Sequence, residues 1–444
     1  MSGDHPTEAA RLTKLEEAPL ALGDMRSALE FFEQALSLSK AVGDRGSEAV
    51  ILNNIGVAWD ALGEKRKALE YYQQALPLRR AVGDHSGEAT TLTNIGVAWS
   101  GLGDQHKALE YYQQALPLSR AVGDRGGEAA TLTTIGVAWS ALGEKRKALE
   151  FFEQAPPLSA VGDRGGEAAT LNNIGLAWSD LGEKRKALEF FEQALPLRRA
   201  VGDRGGEAAT LTNIGLAWSD LGEKRKALEF YEQALPLSRA VGDRRGEATT
   251  LHNIGSAWSG LGEKHKALGY YEQTLLLRRA VGDRRGEATT LNSIGLAWSD
   301  LGETRKALEF YEQALPLFRA VGDRGGEATT LNNIGSAWSA LGEKRKALEF
   351  YEQALPVFRA VGDRRGEAVT LNNIGGVWSA LEEKRKALEF YEQALPVFRA
   401  VGDRAGEATT LNNIGGAWSA FGSSLSSRTA LLSRGGDRGG ERRR

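Results

Sequence analysis

The 444-residue chain contains no cysteine. That excludes disulfides, thiolate metal sites, iron–sulfur clusters and cysteine nucleophiles. Histidine is scarce. The five residues, His5, His85, His106, His252 and His265, are scattered, and no two share the helical spacing of metal ligands. A charge excess is missing as well: 56 Lys plus Arg face 58 Asp plus Glu, a net charge of -2. Such a balance exerts no long-range pull on nucleic acid or an anionic membrane. No apolar run approaches the roughly 18 residues that a membrane span requires. The opening MSGDHPTEAARLTKLEE lacks the apolar core of a signal peptide. Catalytic strings are absent too: no Gly-Lys-Ser/Thr, no G-x-S-x-G, no H-E-x-x-H and no paired-carboxylate constellation. Ser219-Asp220 recurs without a partner His. The expectation is a soluble, cytoplasmic, non-enzymatic protein with no metal and no cofactor.

Glycine and tryptophan are what the chain does have, at 54 and 10 residues. The tryptophans are Trp59, Trp99, Trp139, Trp178, Trp218, Trp258, Trp298, Trp338, Trp378 and Trp418, spaced by 40 residues with a single gap of 39. A fixed period of this size denotes an array of stacked units. The stretch 208–247 is typical. Its first helix carries Leu211, Ile214, Ala217, Trp218 and Leu221 as an apolar stripe and stops at Gly222. Its second carries Ala227, Leu228, Tyr231, Ala234, Leu235 and Val241 and stops at Gly242, with Asp243 as N-cap of the next unit. Neither stripe can be buried alone, so neighbours must stack.

This register predicts an all-α array of about ten antiparallel helix pairs plus a final unpaired helix. The units are about 9–48, 49–88, 89–128, 129–167, 168–207, 208–247, 248–287, 288–327, 328–367 and 368–407, with a half unit at 408–422. Residues 1–8 and the Ser/Arg-rich 423–444 are expected to be disordered. The first unit is degenerate, with Glu16 in place of the glycine and Pro19 in place of Trp.

The string N-I-G-x-A-W-x-x-L-G-E-K-x-K-A-L-E-F-Y-E-Q-A-L resembles the tetratricopeptide repeat (TPR). Gly215, Ala227, Tyr231 and Ala234 match that motif's small and aromatic positions, and Trp218 stands where the family usually has Tyr. The 40-residue length and the G-D-R-x-x-E junction are similar to the long subclass of LGN/Pins-type adaptors and bacterial TPR signalling proteins. L-N-N-I-G is similar to kinesin light chain. The resemblance implies a right-handed superhelical solenoid that binds an extended peptide or partner protein on its concave face. The alternative is the sensor part of a bacterial signalling system whose effector is separate or lost by truncation. An RNA-binding helical repeat is disfavoured by the neutral charge and the period.

The second face of the first helix is where the resemblance places the ligand. It carries a column of asparagines: Asn54, Asn94, Asn173, Asn213, Asn253, Asn333, Asn373 and Asn413, with Thr134 and Ser293 as exceptions. Asn is a poor helix-interior residue, yet its amide can pair with any peptide backbone. The competing reading is that the column pairs neighbouring helices and fixes their register. Specificity would come from Val57, Val97, Val137, Leu176, Leu216 and Leu296, and from Asp180, Asp220 and Asp300. No Lys or Arg falls on this face from the second unit onward, so the ligand is expected to be neutral or basic rather than acidic. Self-association through the uncapped C-terminal helix is a further expectation.

The basic triplets, such as Lys224-Arg225-Lys226, read as solvated charge paired with flanking Glu223 and Glu229. The Trp column reads as core. Prolines at 77, 117, 196, 236, 316, 356 and 396 should bend the second helices, with Leu276 as the exception. Glu382 stands where a helix-ending Gly is expected. The 39-residue unit, with Pro156-Pro157, should break its helix near Ala155 and form a hinge at 155–164.

Overall fold

A computed structural model describes residues 22–156 and 163–419. The chain divides into two compact units, Met1–Leu237 and Ser238–Arg444. All regular structure among the described residues is helical, without a strand. Helix Leu22–Val42 is followed by nine complete pairs, from Arg45–Ala61 with Lys65–Val82 to Arg364–Ala380 with Lys384–Val401. A further first-type helix spans 404–419.

The punctuation works as the residues suggest. Asp203 precedes helix Arg204–Asp220, and its carboxylate accepts from Gly206 N–H at 2.8 Å. Such a cap contributes about 1 kcal/mol. At the other end Leu221 N–H donates to Ala217 O, and Glu223 N–H reaches back to Trp218 O at 2.9 Å. That return requires Gly222 at φ +88. In the tenth unit the same turn is made by Glu382 at φ 64, the one non-glycine residue with positive φ among those described. A side chain there costs roughly 1 kcal/mol.

Within each pair one contact recurs. Gly215 leaves a notch in the first helix, and the Tyr231 ring fills it. A Cβ at Gly215 would lie 2.4 Å from a ring carbon. Counterparts run from Gly56 with Tyr72 to Gly375 with Tyr391, always 16 residues apart. The buried ring then packs with the next unit, as Ala187, Leu188 and Phe191 do with Ile214 and Ala217.

Two readings of the stripes need correction. Val241 is 44% exposed, because the chain turns there into the glycine cap. The tryptophans from Trp59 to Trp378 are half-buried rather than core. One part of the indole packs on the core, and a lysine ammonium lies over the ring, as Lys186 does 4.3 Å from Trp178.

The short unit breaks three residues before the expected Ala155: helix Lys145–Phe152 ends in a turn before Pro156, and most of the expected hinge, 157–162, lies outside the described residues. Elsewhere the helices continue through their prolines, each at an exposed position where water can solvate the freed carbonyl. The degenerate first helix with Glu16 and Pro19, and the segment 423–444, lie outside the described residues.

Candidate functional site

The asparagine column lies on the first-helix face turned away from the notch glycines, and its residues are half-buried. Its amides form a ladder. Asn213 donates from Nδ2 to Asn172 Oδ1 at 3.1 Å, and Thr210 Oγ1 donates to the same oxygen at 3.4 Å. Asn94 bonds to Asn53, Asn333 to Asn292, Asn373 to Asn332 and Asn413 to Asn372, at 3.2, 3.2, 3.3 and 3.2 Å. One amide hydrogen of each therefore joins neighbouring first helices. Asn54, Asn173 and Asn253 occupy the same helical position in their units.

The acceptors form a second column, Asn53, Asn172, Asn292, Asn332 and Asn372, one residue before the first. Its signal was visible as the first Asn of L-N-N-I-G. Where threonine replaces it, hydroxyls meet instead, as Thr133 and Thr170 do at 3.0 Å. His252 interrupts the series. Burial, then the charge of Arg278, pushes its imidazole down to about 4. The following unit has Ser293 in place of the donor Asn, and Ser293 Oγ turns to Thr289 O at 3.0 Å.

Beside the ladder stand the aliphatic residues. Val57, Val97, Val137, Leu176, Leu216 and Leu296 are each 37–45% exposed. Such exposure of large apolar side chains at one repeated position marks a contact surface more readily than scattered ones do. The positions at 256, 336, 376 and 416 hold Ser, Ser, Gly and Gly.

The acids of this face are not bare. Lys145 reaches Asp180 at 2.6 Å and Lys184 reaches Asp220 at 2.7 Å, each from the preceding unit. Lys264 pairs with Asp300 in the same way. Lys145, Lys184 and Lys264, each at the start of its second helix, thus supply cations that linear spacing hides, and these three aspartates carry compensated charge. The third lysine lies over Trp and pairs with the cap Glu, as Lys67 does with Glu64 at 3.8 Å. Phosphate-binding use of the triplets finds no support in this arrangement.

On the other side, open clefts of about 440 and 470 Å³ repeat between second helices, floored by Leu149, Leu181 and Trp178 or by Leu188, Leu221 and Trp218. Glutamates and basic residues rim them together. No group of three or more His, Asp or Glu among the described residues could hold a metal ion. No described helix is long and apolar enough to cross a membrane.

The tetratricopeptide repeat family model matches residues 17–81, 67–121, 88–155, 166–240, 206–280, 246–320, 287–360 and 326–400. No curated protein matches the chain. Among solved structures, the apo quorum sensor NprR from B. thuringiensis is similar at 16% identity, with TM-score 0.57 over 71% of this chain and 87% of that one. A Pyrococcus horikoshii signal transduction ATPase with numerous domains and a tetratricopeptide repeat sensor aligns at 15% identity and TM-score 0.58. It covers 86% of this chain and 54% of the other. Apo RapI gives 16% identity and TM-score 0.52, covering 62% and 99%. At these identities the likeness is one of fold.

Proposed function

Since the chain belongs to the tetratricopeptide repeat family, we propose that it is a non-catalytic scaffold. It holds an extended peptide, or a segment of a partner protein, on the second face of its first helices. The observation that carries this reading is the exposed aliphatic column Val57, Val97, Val137, Leu176 and Leu216 beside half-buried amides. The aliphatic residues bury ligand side chains. The remaining amide groups of the Asn column pair with the ligand backbone. Because Asp180 and Asp220 are matched by Lys145 and Lys184, the preferred ligand is neutral and apolar, and a basic one is second.

The ladder suggests the test. Asn213→Ala removes both a ladder donor and a groove amide, whereas Asn172→Ala removes only the ladder acceptor. A purely structural column lowers stability in both variants and leaves ligand affinity unchanged in both. The binding role gives weaker binding for Asn213→Ala alone, by about 0.5–1.5 kcal/mol.

A sensor role within a signalling system is the narrower form of this proposal. Its support is the fold likeness to proteins described as a quorum sensor and as carrying a repeat sensor. Loss of a signalling response on deleting this chain, restored by the wild type and not by Leu216→Asp, tests it.

A further inference from the structure

Among the described residues, one ring and one notch of this recurring contact have no described counterpart. Nine rings, from Tyr72 to Tyr391, are buried to 4% exposure or less, each in the glycine notch 16 residues before it. Phe32 occupies the ring position in helix Leu22–Val42, yet it is only partly buried. The residue 16 positions before it is Glu16. In the matched pairs a Cβ would lie 2.3–2.7 Å from the ring, and the register position that holds glycine in those pairs carries a side chain in this one.

The complementary notch is at Gly415. A Cβ there would meet nothing within 4 Å among the described residues. Leu411, one turn before it, is 44% exposed, whereas its counterparts Leu331 and Leu371 are 1% exposed. The helix 404–419 therefore shows an apolar face that earlier pairs bury under a second helix. That second helix has a constant pattern, as in Lys384–Val401, which reads KRKALEFYEQALPVFRAV. Helix Leu22–Val42 carries the same pattern in LGDMRSALEFFEQALSLSKAV.

We propose that copies of this chain associate head to tail, with Phe32 of one copy entering the Gly415 notch of the next. The contact continues the interface already built nine times within the chain. Both halves of it come from the chain itself, so no foreign partner is required. Such a contact is heterologous, and it propagates as open chains rather than closing as a symmetric dimer. Charge does not oppose it, because the described part of helix 404–419 carries only Arg404 and Glu407.

Two variants test the proposal on the full chain. Phe32→Glu spoils the ring, and Gly415→Leu fills the notch in open space where it leaves the helix intact, as circular dichroism will show. Wild-type average mass, by light scattering, should rise steadily with concentration. Each variant alone should stay at the mass of one chain. Mixed in equal amounts, they should form a species of two chains and no larger, because one intact ring still meets one intact notch. A wild type that remains a single chain at every concentration overturns the proposal. So does association by both variants alone, which denotes a symmetric contact, or a mixture that fails to pair. Association that appears only after residues 423–444 are removed also overturns it, by showing that this segment fills the notch.

Discussion

The two compact units handle the same repeat differently. At the position two residues after the helix proline (Leu276 in one repeat), Met1–Leu237 has Arg79, Ser119 and Arg198, whereas Ser238–Arg444 begins with Ser238 and Arg278 and ends with Phe318, Phe358 and Phe398. Arg198 bonds to Asp203 at 2.5 Å while its Nε is buried without a partner, and Arg79 repeats the arrangement with Asp84. The phenylalanines are 3–4% exposed and pack against Gly326, Gly366 and Gly406. The glutamate of the next first helix follows suit. Glu207 has one arginine, Arg199 at 2.7 Å, whereas Glu367 is buried between Arg359 and Arg364, both at 2.8 Å. In the exposed column of the first helices the trend reverses, from Val and Leu in the first unit to Ser256, Leu296, Ser336, Gly376 and Gly416 in the second. Toward the C-terminal end, apolar side chains enter the core as they leave the exposed column. A duplicated unit can thus carry exposed apolar side chains at one end and buried ones at the other without changing its backbone.

The largest effect should come from removing a phenylalanine. Phe358→Ala should destabilise the second unit by about 3–5 kcal/mol, the usual cost of emptying an aromatic core site. Arg198→Ala should cost the first unit less, about 1–3 kcal/mol, since it removes an ion pair and leaves Asp203 partly solvated. Denaturant titration followed by tryptophan fluorescence measures both, and equal losses would break the comparison.

His252 sharpens it by pH. The folded imidazole is lowered from 6.5 to about 4, so the unfolded chain binds more protons between those values. Its contribution is complete above pH 6.5 and is lost as the pH falls toward 4. The melting temperature of the second unit should drop across that window, and His252→Asn should flatten the drop. An unchanged profile in the variant would assign the drop to carboxylates instead.

The smallest effect is at the cap of the tenth unit. Glu382→Gly relieves the left-handed backbone at φ 64 and should stabilise by roughly 1 kcal/mol. Hydrogen exchange of 364–401 reads this out as slower opening.

Much of this was legible in the residues. Period, caps and notch glycines are local, so spacing reveals them, and the same holds for the helix break after Phe152. What spacing hides is the partner of a side chain across units. The lysines that neutralise Asp180 and Asp220 sit 35 and 36 residues earlier, at another helix's start. Spacing alone does not separate the ladder acceptor Asn172 from its neighbour Asn173; the packing of adjacent helices does. The tryptophans satisfied the apolar periodicity, but a lysine three residues into the next helix covers their open face, and no stripe pattern distinguishes covered from buried.

If ligand contact is concentrated on the aliphatic column of the first unit, a photoactivatable side chain there will report it in extract from the native host. Placed at Leu216, at Gly416 or on the second-helix side at Glu232, it should give a discrete cross-linked polypeptide from position 216, little from 416 and none from 232. Cross-links equal at all three positions, or strongest at 232, would contradict it.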